Sequence, residues 1–550
     1  MISVSTPRSA SLPPLSPAHT LPRIAVGPEW LVCLLISALW FGCTAGLRPL
    51  AIPDEGRYVG VAWEMLRSGN WAVPTLDGLP FFHKPPLFYW ITAASMHLFG
   101  PGVAAARAAA WLASVSITTG LFAFVARWAD RRQAWATVIV LGTMPLFYGG
   151  SQYANLDMLV AACISAAILL TVHSALARAR GWPHRRTLAM AFVAAALGVL
   201  AKGLIGVVLP VLVLLGWGLA TRRLGRVTAL LMWAPGWLLF AGVAAPWFIL
   251  MQQRFPDFGH YFFVVQHLQR FASAGFNNPQ PWWFYPVALL ALTLPWSPWL
   301  AGLRRRGRGS PPDPAGLHSL MLVWLGVVTV FFSLPSSKLV GYILPAIAPL
   351  AFLIAKAAGV ALRGGAPAQA GLGQPMPRPR RLFLATAVAA ATVCVGTTAA
   401  MHFYQPKSLQ SLAESLRASR APGEPVVFLG IYPYDLTFYA HLDAPVTVVD
   451  PWLDSEVAKD SWRRELVDAS RFAPAGATRR LIGPAEVGPL LCQVRSSWVV
   501  GAWPPAAESA WLAALPPAHQ SGATALWHVV TSRPATRSAL ACSGTASAAR

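Results

Sequence analysis

Asp54, Glu55, Arg57, Tyr58, Glu64, Arg67, Asp77, His83 and Lys84 fall within two adjoining runs, PDEGRYVGVAWEMLRSGNW and PTLDGLPFFHKPPLFYW. Carboxylates, cations, a phenol and an imidazole are the groups that move protons and hold anions. Pro53 followed by two acids fits a helix N-terminus, where carboxylates meet the positive end of the dipole. Capping of that kind accounts for Glu55. It does not account for Asp54 together with Arg57 and the His83-Lys84 pair.

The elements that must position this loop follow from composition. The chain has 550 residues, of which 55% are hydrophobic and 12% charged, with 24 tryptophans. Its mean hydropathy is +0.50. Charge at half the ~25% usual for soluble proteins excludes a soluble multidomain enzyme and indicates a polytopic membrane protein. A net charge of +22 raises nucleic-acid binding as an alternative, but position decides against it. The basic residues form short clusters between apolar runs: Arg127, Arg131 and Arg132; Arg178, Arg180, Arg185 and Arg186; Arg222, Arg223 and Arg226; Arg304, Arg305, Arg306 and Arg308; Arg363, Arg378, Arg380 and Arg381. That is the positive-inside pattern of cytoplasmic loops.

Runs of roughly 20 apolar residues predict spans near 29–47, 103–126, 134–150, 157–176, 187–203, 204–220, 227–250, 283–302, 317–334, 340–361 and 382–402. The expected fold is an all-α membrane bundle of about 11–13 transmembrane helices, joined to a small C-terminal α/β periplasmic domain. A cytoplasmic N-terminus puts every arginine cluster inside. The loops at 48–102, 251–282 and 335–339, and everything after 402, then face outward. Pro85–Gly100 is short for a span and reads as an interfacial helix with Tyr89 and Trp90 at headgroup depth.

Residues 1–27 are Pro/Ser-rich and read as a disordered cytoplasmic tail with no cleavable signal peptide; 28–402 form the transmembrane domain. Residues 362–381 are a Gly/Pro-rich connector, and 403–550 the outer α/β domain. There, Pro425–Gly430 and Pro445–Val449 read as strands, Leu409–Ser419 and Ser455–Ala469 as helices, and the Ala/Ser/Thr-rich C-terminal stretch as poorly ordered. The six cysteines show no metal-ligand spacing; a disulfide between Cys492 and Cys542 is open to them if that region is periplasmic. No internal repeat stands out.

The Asp-Glu-x-Arg-Tyr run at Asp54–Tyr58 and the Lys84-Pro-Pro-Leu-x-Tyr-Trp run resemble the bacterial aminoarabinose lipid A transferases. These belong to the GT-C superfamily of polyprenyl-phosphate-sugar glycosyltransferases, which includes the protein O-mannosyltransferases. Further matches follow in order: Tyr153-Ala-Asn-Leu-Asp157, Ala201-Lys202-Gly203, His267-Leu-Gln-Arg270-Phe271, and Ser337-Lys338-Leu-Val-Gly-Tyr342-Ile-Leu-Pro345. The resemblance covers about residues 30–355, and each matched segment falls on the outer side of the topology drawn above.

The resemblance implies an inner-membrane enzyme that moves a sugar from undecaprenyl phosphate to an acceptor at the periplasmic face. For the named family these are 4-amino-4-deoxy-L-arabinose and a lipid A phosphate, with no nucleotide cofactor. Such transfer needs cations for the departing phosphate and an oriented acceptor oxygen. It also needs a carboxylate near the oxocarbenium-like sugar, by analogy with glycoside hydrolysis. Asp54 takes the carboxylate role, against a helix cap paired with Arg57. Lys84 and Arg270 are expected at the donor phosphate, against interfacial snorkelling for Lys84. Arg57, Tyr58 and Tyr342 are further substrate contacts, Tyr342 with an aromatic-belt alternative. Asp157 and Lys202 are expected to line the site or to pair with each other; Lys338 is evenly divided. A divalent metal such as zinc would be held by His83 and His267, with His260 a distant third, although relatives carry acids where this chain has His83 and Gln266. Residues 270–283 read as a substrate lid or as an anchor through Trp282 and Trp283. A related transferase acting on a polysaccharide or a protein is the nearest alternative function. A lipid-linked sugar transporter, from another class, would place its charges near the midplane with internal pseudo-symmetry.

Overall fold

A computed structural model describes residues 27–269, 278–305, 315–363, 378–404, 408–452 and 461–542. The N-terminal three quarters are helical. Among the described residues five helices are long and apolar enough to cross a membrane: Ala108–Trp128, Leu156–Arg178, Ala234–Arg254, Val340–Gly359 and Arg378–Phe403. A sixth crossing arises if Arg131–Gly142 and Pro145–Ser151, bent by 68°, count as one. Shorter apolar helices occupy Glu29–Gly42, Leu87–Phe99, Ile205–Ala220 and Leu317–Ser333. The protein is thus a multi-pass membrane protein, with fewer continuous long helices than hydropathy predicts. Proline explains much of the difference. Pro145 restarts the chain in a new direction after Met144, and the run expected near 283–302 divides into Phe284–Ala291 and a tight turn of helix at Ser297–Arg305.

The first loop is built on two helices packed together. Asp54–Ser68 starts after Pro53 with both acids in its first turn and stops at Gly69, whose φ of 67° only glycine adopts at no steric cost. Leu87–Phe99 is about 20 Å long at 1.5 Å per residue, too short to span. Tyr89 is fully buried against Tyr58 and Phe88 because this helix packs on Asp54–Ser68. Trp90 donates to the Trp71 carbonyl at 2.6 Å.

Beyond residue 408 a six-stranded sheet forms in the order Leu481–Ile482, Thr447–Val449, Val426–Leu429, Ser496–Ala502, Thr524–Val530, His519–Ser521. The first four strands are parallel and the last two antiparallel to their neighbours. The C-terminal stretch up to Cys542 is more ordered than its composition predicts, and residues 543–550 lie outside the described residues. Val499, Trp527 and Val529 are buried together in one core and Leu526 in the other, and Cys492 is bonded to Cys542. Alternating inward apolar residues in TALWHVV supply that order despite the Ala/Ser/Thr-rich flanks.

This sheet does not stand apart from the first loop. Trp63 donates to the Leu442 carbonyl at 3.1 Å, and Tyr439 accepts from the Leu50 amide at 2.7 Å. Asp77 accepts from the Val446 amide at 2.8 Å. The backbones approach so closely that a Cβ on Gly56 would lie 3.0 Å from the Asp435 nitrogen.

Candidate active site

Two adjacent acids at the start of one helix have opposite surroundings. Glu55 is fully buried. It accepts from Arg48 at 2.5 Å, from Arg107 at 2.9 and 3.2 Å, and from the Ala51 and Ala154 amides at 2.8 and 2.6 Å. Burial alone would raise its pKa, but Arg107 and Arg48 outweigh burial and hold the carboxyl below its ordinary value. Glu55 therefore ties together the chain before its helix, the segment at Arg107 and the loop at Ala154. Asp54, one residue earlier, is about one-third exposed and accepts from Arg57 at 2.6 Å.

The loop that Glu55 fastens leads to the second acid. Asn155 caps the helix Leu156–Arg178 by accepting from the Asp157 amide at 2.9 Å, which fixes Asp157 in the first turn. Lys202 ends the helix Arg185–Lys202, where a cation suits the dipole, and pairs with Asp157. Its ammonium also lies 4.1 Å from the centre of the Tyr342 ring. Gly341 backs this pair so closely that a Cβ there would land on the Asp157 carboxylate.

These segments enclose one polar pocket lined by Asp54, Arg57, Tyr58, Phe81, His83, Lys84, Asn155, Asp157, Lys202, Leu339 and Tyr342. Eight residues named from the sequence thus converge: Asp54, Arg57, Tyr58, His83, Lys84, Asp157, Lys202 and Tyr342. Asp157 and Lys202 pair with each other and line the pocket. Asp54, Asn155, Asp157 and Leu339 also line a neighbouring cavity of about 590 Å³. The rest of that cavity is mostly apolar, walled by Pro145, Leu146, Met158, Leu292, Val340 and Leu344 with Gly149, Gly150 and Tyr153. A charged chamber beside an apolar one, with shared lining residues, suits an amphiphile with an anionic head and a hydrocarbon tail.

Lys338 does not join the pocket. Its ammonium donates to the Gln280 and Pro335 carbonyls at 2.8 and 2.5 Å, fastening the segment at 278–280 to the one at 335–338. Arg270 and most of the expected lid lie outside the described residues; Trp282 and Trp283 are exposed. His267 falls in the wide helical turn His260–Gln269. His83 stacks on Phe81 with ring centres 4.4 Å apart, and its Nε2 is 3.9 Å from the Asp468 carboxylate. Among the described residues no group of three or more His, Cys, Asp or Glu side chains converges as a metal site, and the His267 side chain lies outside those described.

Sequence reasoning passed over Arg48, Arg107, Asn155 and Glu465. Arg107 had a signal, as a lone cation in the apolar run GVAAARAAAW. Glu465 had none, lying 408 residues from the Arg57 with which it pairs.

The family model for dolichyl-phosphate-mannose-protein mannosyltransferase matches residues 50–262. The undecaprenyl phosphate-alpha-4-amino-4-deoxy-L-arabinose arabinosyl transferase of Shewanella sediminis is 35% identical over 314 residues, 56% of each chain. The protein of the same name from Aeromonas salmonicida is 37% identical over 326 residues, 58% of each chain. The matched stretch thus spans a little over half the length of these relatives. The crystal structure of ArnT from Cupriavidus metallidurans bound to undecaprenyl phosphate superimposes with a TM-score of 0.74 at 23% identity. It covers 91% of this chain and 98% of that one, so the two share a fold.

Proposed function

We propose that the chain belongs to the aminoarabinose transferase family within the GT-C superfamily and that it moves 4-amino-4-deoxy-L-arabinose from undecaprenyl phosphate to a lipid A phosphate. The single observation that carries this reading is the junction of the polar pocket with the 590 Å³ apolar cavity at Asp54, Asn155 and Asp157. The polar side holds the donor's phosphate and sugar, and the apolar side takes the first isoprene units of its tail. The relative from Cupriavidus metallidurans, of the same fold, was crystallised with undecaprenyl phosphate.

In the reaction, the bond from the anomeric carbon to the donor phosphate oxygen breaks, and an acceptor oxygen bonds to that carbon. The phosphate gains negative charge as it leaves. Lys84 and Arg57 meet that charge from the pocket wall, and Arg270 is assigned to the same task. Asp54, the more exposed of the paired acids, orients the acceptor and stabilises the cationic sugar. An ionised acceptor phosphate has no proton to give up, so Asp54 acts there by position and charge rather than as a base. Asp157 and Lys202, already paired, add a fixed dipole without net charge beneath Tyr342.

The site is assigned to the periplasmic side of the bacterial inner membrane, with 28–402 as the catalytic membrane domain and 403–550 as a periplasmic α/β domain. The arginine clusters between spans support this topology, as does the Cys492–Cys542 bridge, which suits an oxidising compartment. Mass spectrometry of lipid A tests the reading in a deletion strain complemented with wild type or Asp54→Asn. Loss of the aminoarabinose mass increment, restored only by wild type, is the expected result. Unchanged lipid A in cells that make the donor would redirect the search to a polysaccharide or protein acceptor.

A further inference from the structure

Arg57 is gripped from two sides by parts of the chain far apart in sequence. One terminal nitrogen bonds Asp54 at 2.6 Å, and the other pairs with Glu465, on the helix Trp462–Ser470 beyond the first two strands of the C-terminal sheet. The second Glu465 oxygen accepts from the Tyr434 hydroxyl at 2.6 Å. The Tyr58 ring lies 5.0 Å from the guanidinium and the Tyr434 ring 5.9 Å. Glu465 is only 6% exposed, whereas Asp54 is 32% exposed. The buried end of this grip is therefore the rigid one, and the open end faces the pocket.

We propose that Glu465 is a positioning residue for transfer: by fixing the far edge of the Arg57 guanidinium, it sets the near edge against Asp54 and the polar pocket. A guanidinium is planar, so anchoring one nitrogen with two aromatic rings close by restricts its orientation. Without the Glu465 charge, Asp54 is the one remaining ion-pair partner of Arg57 among the described residues, and the guanidinium is free to shift towards that more exposed carboxylate. The C-terminal sheet thereby supplies part of the catalytic geometry through a group that touches neither substrate. Asp468, three residues on and on the same helix face, approaches His83 at 3.9 Å and accepts from Tyr261 at 3.2 Å, so the helix is seated on the first loop at two points.

This inference rests on the transferase reading, and the experiment separates the two. Purified full-length protein is assayed with undecaprenyl phosphate-linked 4-amino-4-deoxy-L-arabinose and lipid A. Glu465→Gln is expected to lower kcat/KM about 10²-fold, the size of effect that misplacing a group near reacting atoms produces. Trp63→Phe, which loosens the same interface away from Arg57, is expected to stay near wild type. In an Arg57→Ala background, Glu465→Gln is expected to add almost nothing, since both substitutions remove one interaction. Wild-type activity in Glu465→Gln, or an equal further loss in the Arg57→Ala background, would overturn the proposal and leave the transferase reading standing. Modification of Arg57 by phenylglyoxal, followed by peptide mass mapping, reads the positioning without turnover. Faster modification in Glu465→Gln than in wild type is expected, and an unchanged rate would overturn the proposal. Faster modification in a protein that transfers no sugar would instead keep the positioning and sink the transferase reading.

Discussion

Asp54 and Glu55 are neighbours of identical charge, yet their substitutions are expected to fail in opposite ways. Asp54 pairs with Arg57 while one-third exposed, and exposed pairs contribute about 0–1 kcal/mol. Asp54→Asn should therefore leave thermal unfolding in detergent nearly unchanged while transfer falls by about 10²-fold or more, as when a charge aimed at a transition state is removed. Glu55→Gln leaves Arg48 and Arg107 sharing one neutral amide in a site without water access. Breaking a buried ion pair in this way costs about 3–5 kcal/mol, to be read as a lower unfolding midpoint. An unaltered midpoint in Glu55→Gln would show that the network is not what fastens the loop. The sequence showed Asp54 as chemistry and Glu55 as a cap because both begin a helix after proline. What separates them is Arg107, 52 residues away, and no local pattern contains that contact.

The helices were legible where apolar runs coincide with continuous backbone, as at Leu156–Arg178, and blurred where proline interrupts an apolar run. Hydropathy counts side chains and does not register the missing amide of Pro145, so it could not show the 68° bend that brings Gly149 and Gly150 to the cavity wall. Packing between elements was equally hidden. Nothing in Ser-Lys-Leu-Val-Gly-Tyr indicates that the bare Cα of Gly341 is what gives the Asp157 carboxylate its room. Gly341→Ala is accordingly expected to push Asp157 from Lys202 and cut transfer by about 10²-fold, the cost of a displacement near 1 Å at reacting groups. Gly149→Ala, on the same cavity wall but with open space at its Cβ, should retain activity. Steady-state assays of the two variants side by side check this, and equal activities would remove Gly341 from the account.

The long-range design is a C-terminal sheet docked on the first loop, and its seam should respond to pH. Asp77 is 1% exposed and sits where the loop meets the strand at Thr447–Val449. Burial and the charge of Glu64 push it up to about 7, against the pull of the Val446 amide, Arg480 and Arg67. A carboxyl whose pKa rises on folding holds its proton in the folded chain while the unfolded chain has already released it. Stability from this group is therefore complete below the ordinary value of 3.8 and is lost as pH rises through about 7. Asp435, pushed up to about 6 chiefly by burial, acts with the same sign but is largely spent by pH 6. Between pH 6 and 7.5 the loss contributed by Asp77 amounts to about 1 kcal/mol, and Glu64, also raised by burial, acts with the same sign. Asp77→Asn mimics the protonated acid, because its carbonyl still accepts from Val446, and it should flatten the unfolding midpoint across that interval. A slope that survives the substitution would place the titrating group elsewhere. If the slope disappears, sugar transfer measured over the same interval would show how far the pocket depends on the seam, because Asp77 lies outside the pocket but in the same loop as the pocket-lining Phe81, His83 and Lys84.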